Sequence, residues 1–194
     1  MDRDLTDELL SAIPPHRRRI CWYGAGRDQL GLAAVFATMA NTAARLYLLA
    51  PEAETVEQAM APLHLLRMLG RTDVTAFATG ELGGCSRLLA PWLGAPVVFG
   101  GLGHNGAHGL LTIERLLHDY PFPALPPLEN VFGIVGQRVG ESHSPRLHNT
   151  GYRALGMPAM YLPLHANEFT DSWRSMCAEL DSVQIGRASC RERV

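Results

Sequence analysis

The chain has 194 residues, 47% hydrophobic and 19% charged, with a net charge of −2. That is globular material for one domain or for pieces of two, and the charge balance gives no case for nucleic acid or an anionic membrane surface. The longest apolar stretch, Gly31 to Ala40, is too short to span a bilayer, and the acidic start Met1-Asp2-Arg3-Asp4 is no signal peptide. Four scattered cysteines (Cys21, Cys85, Cys177, Cys190) lack any CxxC spacing and fit a reduced, cytoplasmic setting. All seventeen Lys+Arg residues are arginine. Without a lysine, no mechanism that needs a side-chain amine can run on this chain.

In chain order, short apolar strands alternate with amphipathic helices. Arg19 to Tyr23 reads as a strand and Gln29 to Ala40 as a helix; Arg45 to Leu49 is the next strand and Thr55 to Leu69 the next helix. A strand over Val74 to Ala78 precedes a short helix from Ser86 to Leu93, and a strand over Ala95 to Phe99 precedes a helix from Thr112 to His118. Four βα units imply parallel strands with right-handed crossovers, half of a closed eight-unit barrel. Tyr120 to Pro127 is dense in proline and marks a linker, placed at 121–130 between a first unit at 1–120 and a second at 131–184. In the second unit, strands are expected over Val131 to Gly136 and Ala159 to Leu164, with helices over Arg146 to Leu155 and Asn167 to Leu180. Residues 185–194 carry no periodicity and no strand signal. They resemble the translation of a sequencing adapter and are expected to be a non-native tail.

The loop after the strand ending at Gly136 delivers Ser142 and Ser144 just before Pro145. Proline suits the first turn of a helix, which makes Ser144 the expected N-cap. Two hydroxyls and backbone N–H groups at the positive end of a helix suit a small carboxylate or phosphate. The rival reading of the residues alone is a plain cap at Ser144 and a plain turn at Ser142.

The wider pattern is F-G-I-V-G-x-x-V-x-x-S-x-S-P-x-L-H-N, followed by Tyr152-Arg153-Ala154-Leu155-Gly156 and Tyr161-Leu162-Pro163-Leu164. It closely resembles the start of shikimate dehydrogenases, over about 131–184. The resemblance implies that Ser142 and Ser144 hold the carboxylate of shikimate. It also implies an N-V-T-x-P-x-K element, whose lysine is an acid/base, and an NADP-binding Rossmann domain farther on. Neither occurs in these residues, so NADP is expected only in a longer protein and not on this chain.

Gly83-Gly84-Cys85-Ser86-Arg87-Leu88 and the run to Gly100 resemble the last two βα units of type I 3-dehydroquinate dehydratases, over about 17–120. The resemblance implies that Arg87 pairs with a substrate carboxylate; a solvent-facing arginine is its equal rival. It also implies a Schiff-base lysine, matched here by Arg45, and a proton-shuttling histidine near Tyr23-Gly24, where none stands. The family's S-A-P-G-Q lid falls on Gly106-Ala107-His108-Gly109-Leu110 without its serine and glutamine. This half is therefore expected to lack dehydratase activity.

Weaker signals resolve to ordinary structure. Gly24-Ala25-Gly26-Arg27-Asp28-Gln29 hints at a dinucleotide fingerprint, but Gln29 replaces the last small residue and a tight turn is favoured. His104 and His108 lack a third ligand, so no metal is expected, and His143 and His148 are assigned no chemistry. The expected architecture is α/β, the C-terminal half of a (β/α)8 barrel followed by the start of a shikimate dehydrogenase substrate-binding domain. By resemblance it is a fragment of a fused shikimate-pathway protein that reduces 3-dehydroshikimate to shikimate with NADPH. The partner is then a small molecule, with no nucleic acid or membrane, and an oligomer through the barrel half is compatible. The alternative is a non-catalytic quinate- or shikimate-sensing protein of the same modules.

Overall fold

A computed structural model describes residues 6–102, 110–166, 174–175, 177–181 and 187–192. After a short helix α1 (Asp7–Ala12), three βα units follow: β1 (Arg19–Ala25), α2 (Gln29–Ala40), β2 (Leu46–Glu52), α3 (Val56–Leu69), β3 (Val74–Ala76) and α4 (Gly84–Leu89). A helix α5 (Ile113–Asp119) closes this unit. The first sheet is ordered β1-β2-β3 and all its pairs are parallel, as connections through helices require.

Local signals explain where these elements start and stop. The Asp28 carboxylate accepts from Gly31 N at 2.8 Å and caps α2. Thr55 Oγ1 does the same for α3 through Gln58 N at 3.3 Å. Gly70 ends α3 with φ of 57°, a left-handed position that glycine takes without steric cost. Met60, Leu63, Leu65 and Leu66 of α3 are buried against the sheet, each contributing about 1.5–3 kcal/mol.

Register divides the sheet into two faces. Ile20, Tyr47, Leu49, Val74 and Ala76 belong to the main core with α2 and α3. Cys21, Leu48, Ala50, Phe77 and Phe99 form a separate cluster on the other, inner face. Residues 95–99, expected as a strand, form none. Pro96 removes a ladder donor, and the first strand-type bridge comes farther on, between Gly101 and Thr112. Likewise the helix expected to Leu93 is α-helical only to Leu89, and Pro91 sits in the 3-10 turn that follows.

The second sheet contains β4 (Asn130–Gly136), β5 (Ala159–His165) and β6 (Arg187–Glu192), in the order β5-β4-β6 and parallel throughout. Helix α6 (Ser144–Ala154) links β4 to β5. The expected lack of a strand after residue 185 is thus corrected. The edge of β4 not taken by β5 pairs with this segment in register, from Asn130↔Arg187 to Val135↔Glu192. Of the helix expected over 167–180, residues 174–175 and 177–181 are helical; the first part lies outside the described residues.

The proline-dense segment between the units is irregular, and Trp92 Nε1 fastens it by donating to Pro126 O at 2.8 Å. The units share one hydrophobic core and are joined by His64 and Glu179 at 2.8 Å. Among the described residues, no helix is long and apolar enough to cross a membrane.

Candidate substrate-binding site

The serine loop begins where β4 ends. A 3-10 turn, Val139–Glu141, brings the chain round to Ser142, whose N–H donates to Val139 O at 3.1 Å. Ser142 is buried, Ser144 partly so, and Pro145 fills the second position of α6. Ser144 is not the cap. It is the first helical residue, His143 precedes it without a side-chain cap bond, and Ser142 Oγ accepts the Ser144 N–H at 3.2 Å. The cause is local: with the helix starting at Ser144, its own amide is the first without an intrahelical acceptor, and the hydroxyl two residues back reaches it.

Residues 137–141 do not point at solvent alone. With Glu81, Leu88, Leu111, Arg115 and His165 they line a cleft of about 680 Å³ between the two units, within the size range of small-molecule sites. His165 Nε2 and Glu81 Oε2 meet across it at 3.1 Å. The three predicted binding residues, Ser142, Ser144 and Arg87, are not among those lining the cleft.

Arg87 lies on α4, after the turn that leaves β3. Ser86 shapes that turn by accepting from Ala78 N at 2.9 Å and donating to Gly83 O at 2.8 Å. The guanidinium is buried on the inner face, its central carbon 4.7 Å from the centre of the Phe77 ring. Its Nε and one terminal nitrogen meet no hydrogen-bond acceptor among the described residues. Burial lowers its pKa from the ordinary arginine value. A solvent-facing arginine is therefore excluded: this is a desolvated cation with donors to spare, suited to a carboxylate.

Residues 25–123, just over half of the chain, match the family model for type I 3-dehydroquinase. The chain belongs to the type I 3-dehydroquinase family. It is 36% identical over 87 residues to the bifunctional 3-dehydroquinate dehydratase/shikimate dehydrogenase of Arabidopsis thaliana, covering 44% of this chain and 14% of that protein. It is 48% identical over 33 residues to the NADP(+) shikimate dehydrogenase of Chlorobaculum tepidum, covering 17% of this chain and 11% of the relative. A solved type I 3-dehydroquinate dehydratase from Clostridium difficile superposes with a TM-score of 0.47 at 15% identity, over 51% of this chain and 41% of that one. The chain thus spans only a small share of the curated relatives it matches.

Several positions depart from the 3-dehydroquinase pattern. Arg45 is exposed, just before β2, and shares the strand parity of Tyr47 and Leu49, which face the helices. Inward positions on β2 are Leu46, Leu48 and Ala50, paired with Arg19, Cys21 and Tyr23, so no amine faces Arg87 from this strand. Tyr23 stands on the inner row where the family histidine is expected; its pKa is raised by burial and by the nearby Cys21. Positions 106–109 of the lid, with His104 and His108, lie outside the described residues. The glycine-rich turn at Gly24–Gln29 is a close-packed turn, since a Cβ on Gly26 would fall 2.8 Å from Glu52 O. The Asp28 carboxylate occupies the end of α2 that a pyrophosphate would need.

Two residues passed over in the sequence prove important here. Asn149 is buried and makes three hydrogen bonds, to Asp119 O and to both backbone groups of Tyr161. His148 stacks on Tyr161 at 4.3 Å with 11° between rings. The available signal for Asn149 was a poor helix former held in mid-helix.

Proposed function

We propose that this chain is part of a fused shikimate-pathway protein whose second unit holds the carboxylate of shikimate or 3-dehydroshikimate at Ser142 and Ser144. The observation that carries the reading is the loop geometry. Ser142 is buried and pinned by its own N–H, and its hydroxyl sets the first amide of α6, so both hydroxyls stand at the positive end of an 11-residue helix. In the longer protein this unit would serve reduction of 3-dehydroshikimate to shikimate. NADP does not fit the described residues of this chain: the one glycine-rich turn that hints at a nucleotide site has its helix end filled by Asp28.

The first unit, on the same reading, keeps the carboxylate anchor Arg87 and has no lysine to form an imine. The desolvated guanidinium, with two nitrogens unmet among the described residues, favours a second version of the proposal, in which the protein senses quinate or shikimate without turning it over.

Calorimetric titration of the purified chain with shikimate tests the first reading. Ser144→Ala should weaken binding by about tenfold or more, as expected for a hydrogen bond to a charged group. Arg87→Met should leave it unchanged. An unaltered affinity in Ser144→Ala removes the serine assignment. Loss in Arg87→Met instead moves the ligand to the first unit and supports sensing there.

A further inference from the structure

We infer that Arg115, on the last helix of the first unit, is a positioning residue for the serine loop of the second. Its consequence for ligand binding rests on the reading given above. Thr112 caps α5 by accepting from Arg115 N at 3.2 Å, which starts the helix at the point that aims this side chain across the unit boundary. Arg115 Nε donates to Asp119 Oδ2 at 2.9 Å, one helical turn away, and Asp119 is buried. A terminal nitrogen of the same guanidinium donates to Gly140 O at 2.9 Å. The rigid, planar fork cannot move one bond without disturbing the other.

Gly140 is the middle residue of the turn Val139–Glu141. A Cβ there would meet nothing within 4 Å, so Val139 anchors one end of the turn in the apolar cluster with Ile134 and Tyr161, while the Arg115 side chain holds its middle through the Gly140 carbonyl. The same turn supplies Val139 O, which accepts from Ser142 N, and Ser142 Oγ in turn accepts from Ser144 N. A chain of four contacts thus runs from Asp119 through Arg115 and Gly140 to both serines. The flanking pair Arg138–Glu141, with side chains 82% and 74% exposed, adds little hold of its own.

The end of α5 and the residue after it also hold α6, the helix that follows the loop. Asn149 Nδ2 donates to Asp119 O at 2.9 Å, and Arg153 donates to Tyr120 O at 2.9 Å and His118 O at 2.8 Å. The last helix of a unit without the family's lysine is the template on which the serine loop and α6 are set. That gives the first unit a role that needs no chemistry of its own.

The test uses the whole 194-residue chain and two independent readouts. Hydrogen exchange by mass spectrometry follows the amides of residues 139–144, and calorimetry follows shikimate. In Arg115→Gln, exchange in the loop should accelerate by about tenfold or more while that of β4 and β5 stays unchanged. Shikimate affinity should fall by a similar factor, and Arg115→Lys should recover part of both. Loop exchange unchanged in Arg115→Gln overturns the inference; where that variant does not fold, unchanged exchange in Asp119→Asn overturns it instead. An affinity loss with unchanged exchange also overturns it, because Arg115 would then touch the ligand itself. A loosened loop in a protein whose wild type takes no shikimate upholds the positioning role and removes the ligand reading alone.

Discussion

The carboxamide of Asn149 clasps the backbone of Tyr161 from both sides, donating to its carbonyl at 3.0 Å and accepting its N–H at 2.7 Å. A side chain of α6 thereby completes the ladder partners of a residue on β5, and its second donor contact, to Asp119 O, reaches the first unit. One buried amide ties three elements together.

Asn149→Ala should therefore be far more costly than a typical surface change. It strands two buried backbone groups of Tyr161 and one carbonyl of α5, each costing about 1–3 kcal/mol. A loss of roughly 3 kcal/mol in urea denaturation is expected, with most of it retained in Asn149→Leu, which fills space and restores no hydrogen bond. A loss below about 1 kcal/mol would show that water satisfies these groups.

Arg87→Met should leave stability unchanged or raise it. The guanidinium is buried over Phe77 with two donors unmet, so replacing it by an apolar side chain of similar length removes a desolvation cost. Thermal melts of both proteins decide the point. A melting temperature several degrees lower in the variant would mean that the cation has partners beyond the described residues.

No imine should form with 3-dehydroquinate. Borohydride reduction followed by mass spectrometry is expected to give no specific adduct on the wild-type chain, which has no lysine. Arg45→Lys should not restore one, because that position is exposed and shares the parity of residues facing the helices. A substoichiometric adduct at the N-terminal amine is the background to subtract.

Stability should fall at alkaline pH. Burial pushes the Cys85 thiol up to about 12, and it raises the Tyr120 phenol as well. The unfolded chain releases the thiol proton near pH 8.5, whereas the folded chain keeps it. The stabilising contribution is therefore complete below about pH 8.5 and is lost as pH rises from there toward 12. Urea midpoints should hold between about pH 6 and 8 and decline above 9, with a shallower decline in Cys85→Ala. At pH 8, Cys85 should resist alkylation while the partly exposed Cys21 reacts.

Much of this architecture is written into local sequence. The caps Asp28 and Thr55 and the terminator Gly70 mark where α2 and α3 begin and where α3 ends, because capping depends on residues a few positions apart. The strands β1, β2, β4 and β5 follow from short apolar runs in the same way, and the proline-dense linker from its missing donors. The absence of lysine needs no structure at all.

Tertiary structure decided the rest, wherever the outcome depends on what lies across a gap in sequence. Pairing of Arg187–Glu192 depends on the edge that β4 leaves open beside β5. The segment 95–99 has strand-like residues, but among the described residues it finds no ladder. Ser142 displaces Ser144 as the hydroxyl serving the start of α6, through a turn whose shape is held by Arg115 from 25 residues upstream of Gly140. Arg87 became a buried cation, with two of its nitrogens unmet among the described residues, because the fold lays it over Phe77. Asn149 gained its importance only when α6 met β5 and α5, since a polar group's value depends on whether folding removes its water and what it supplies instead.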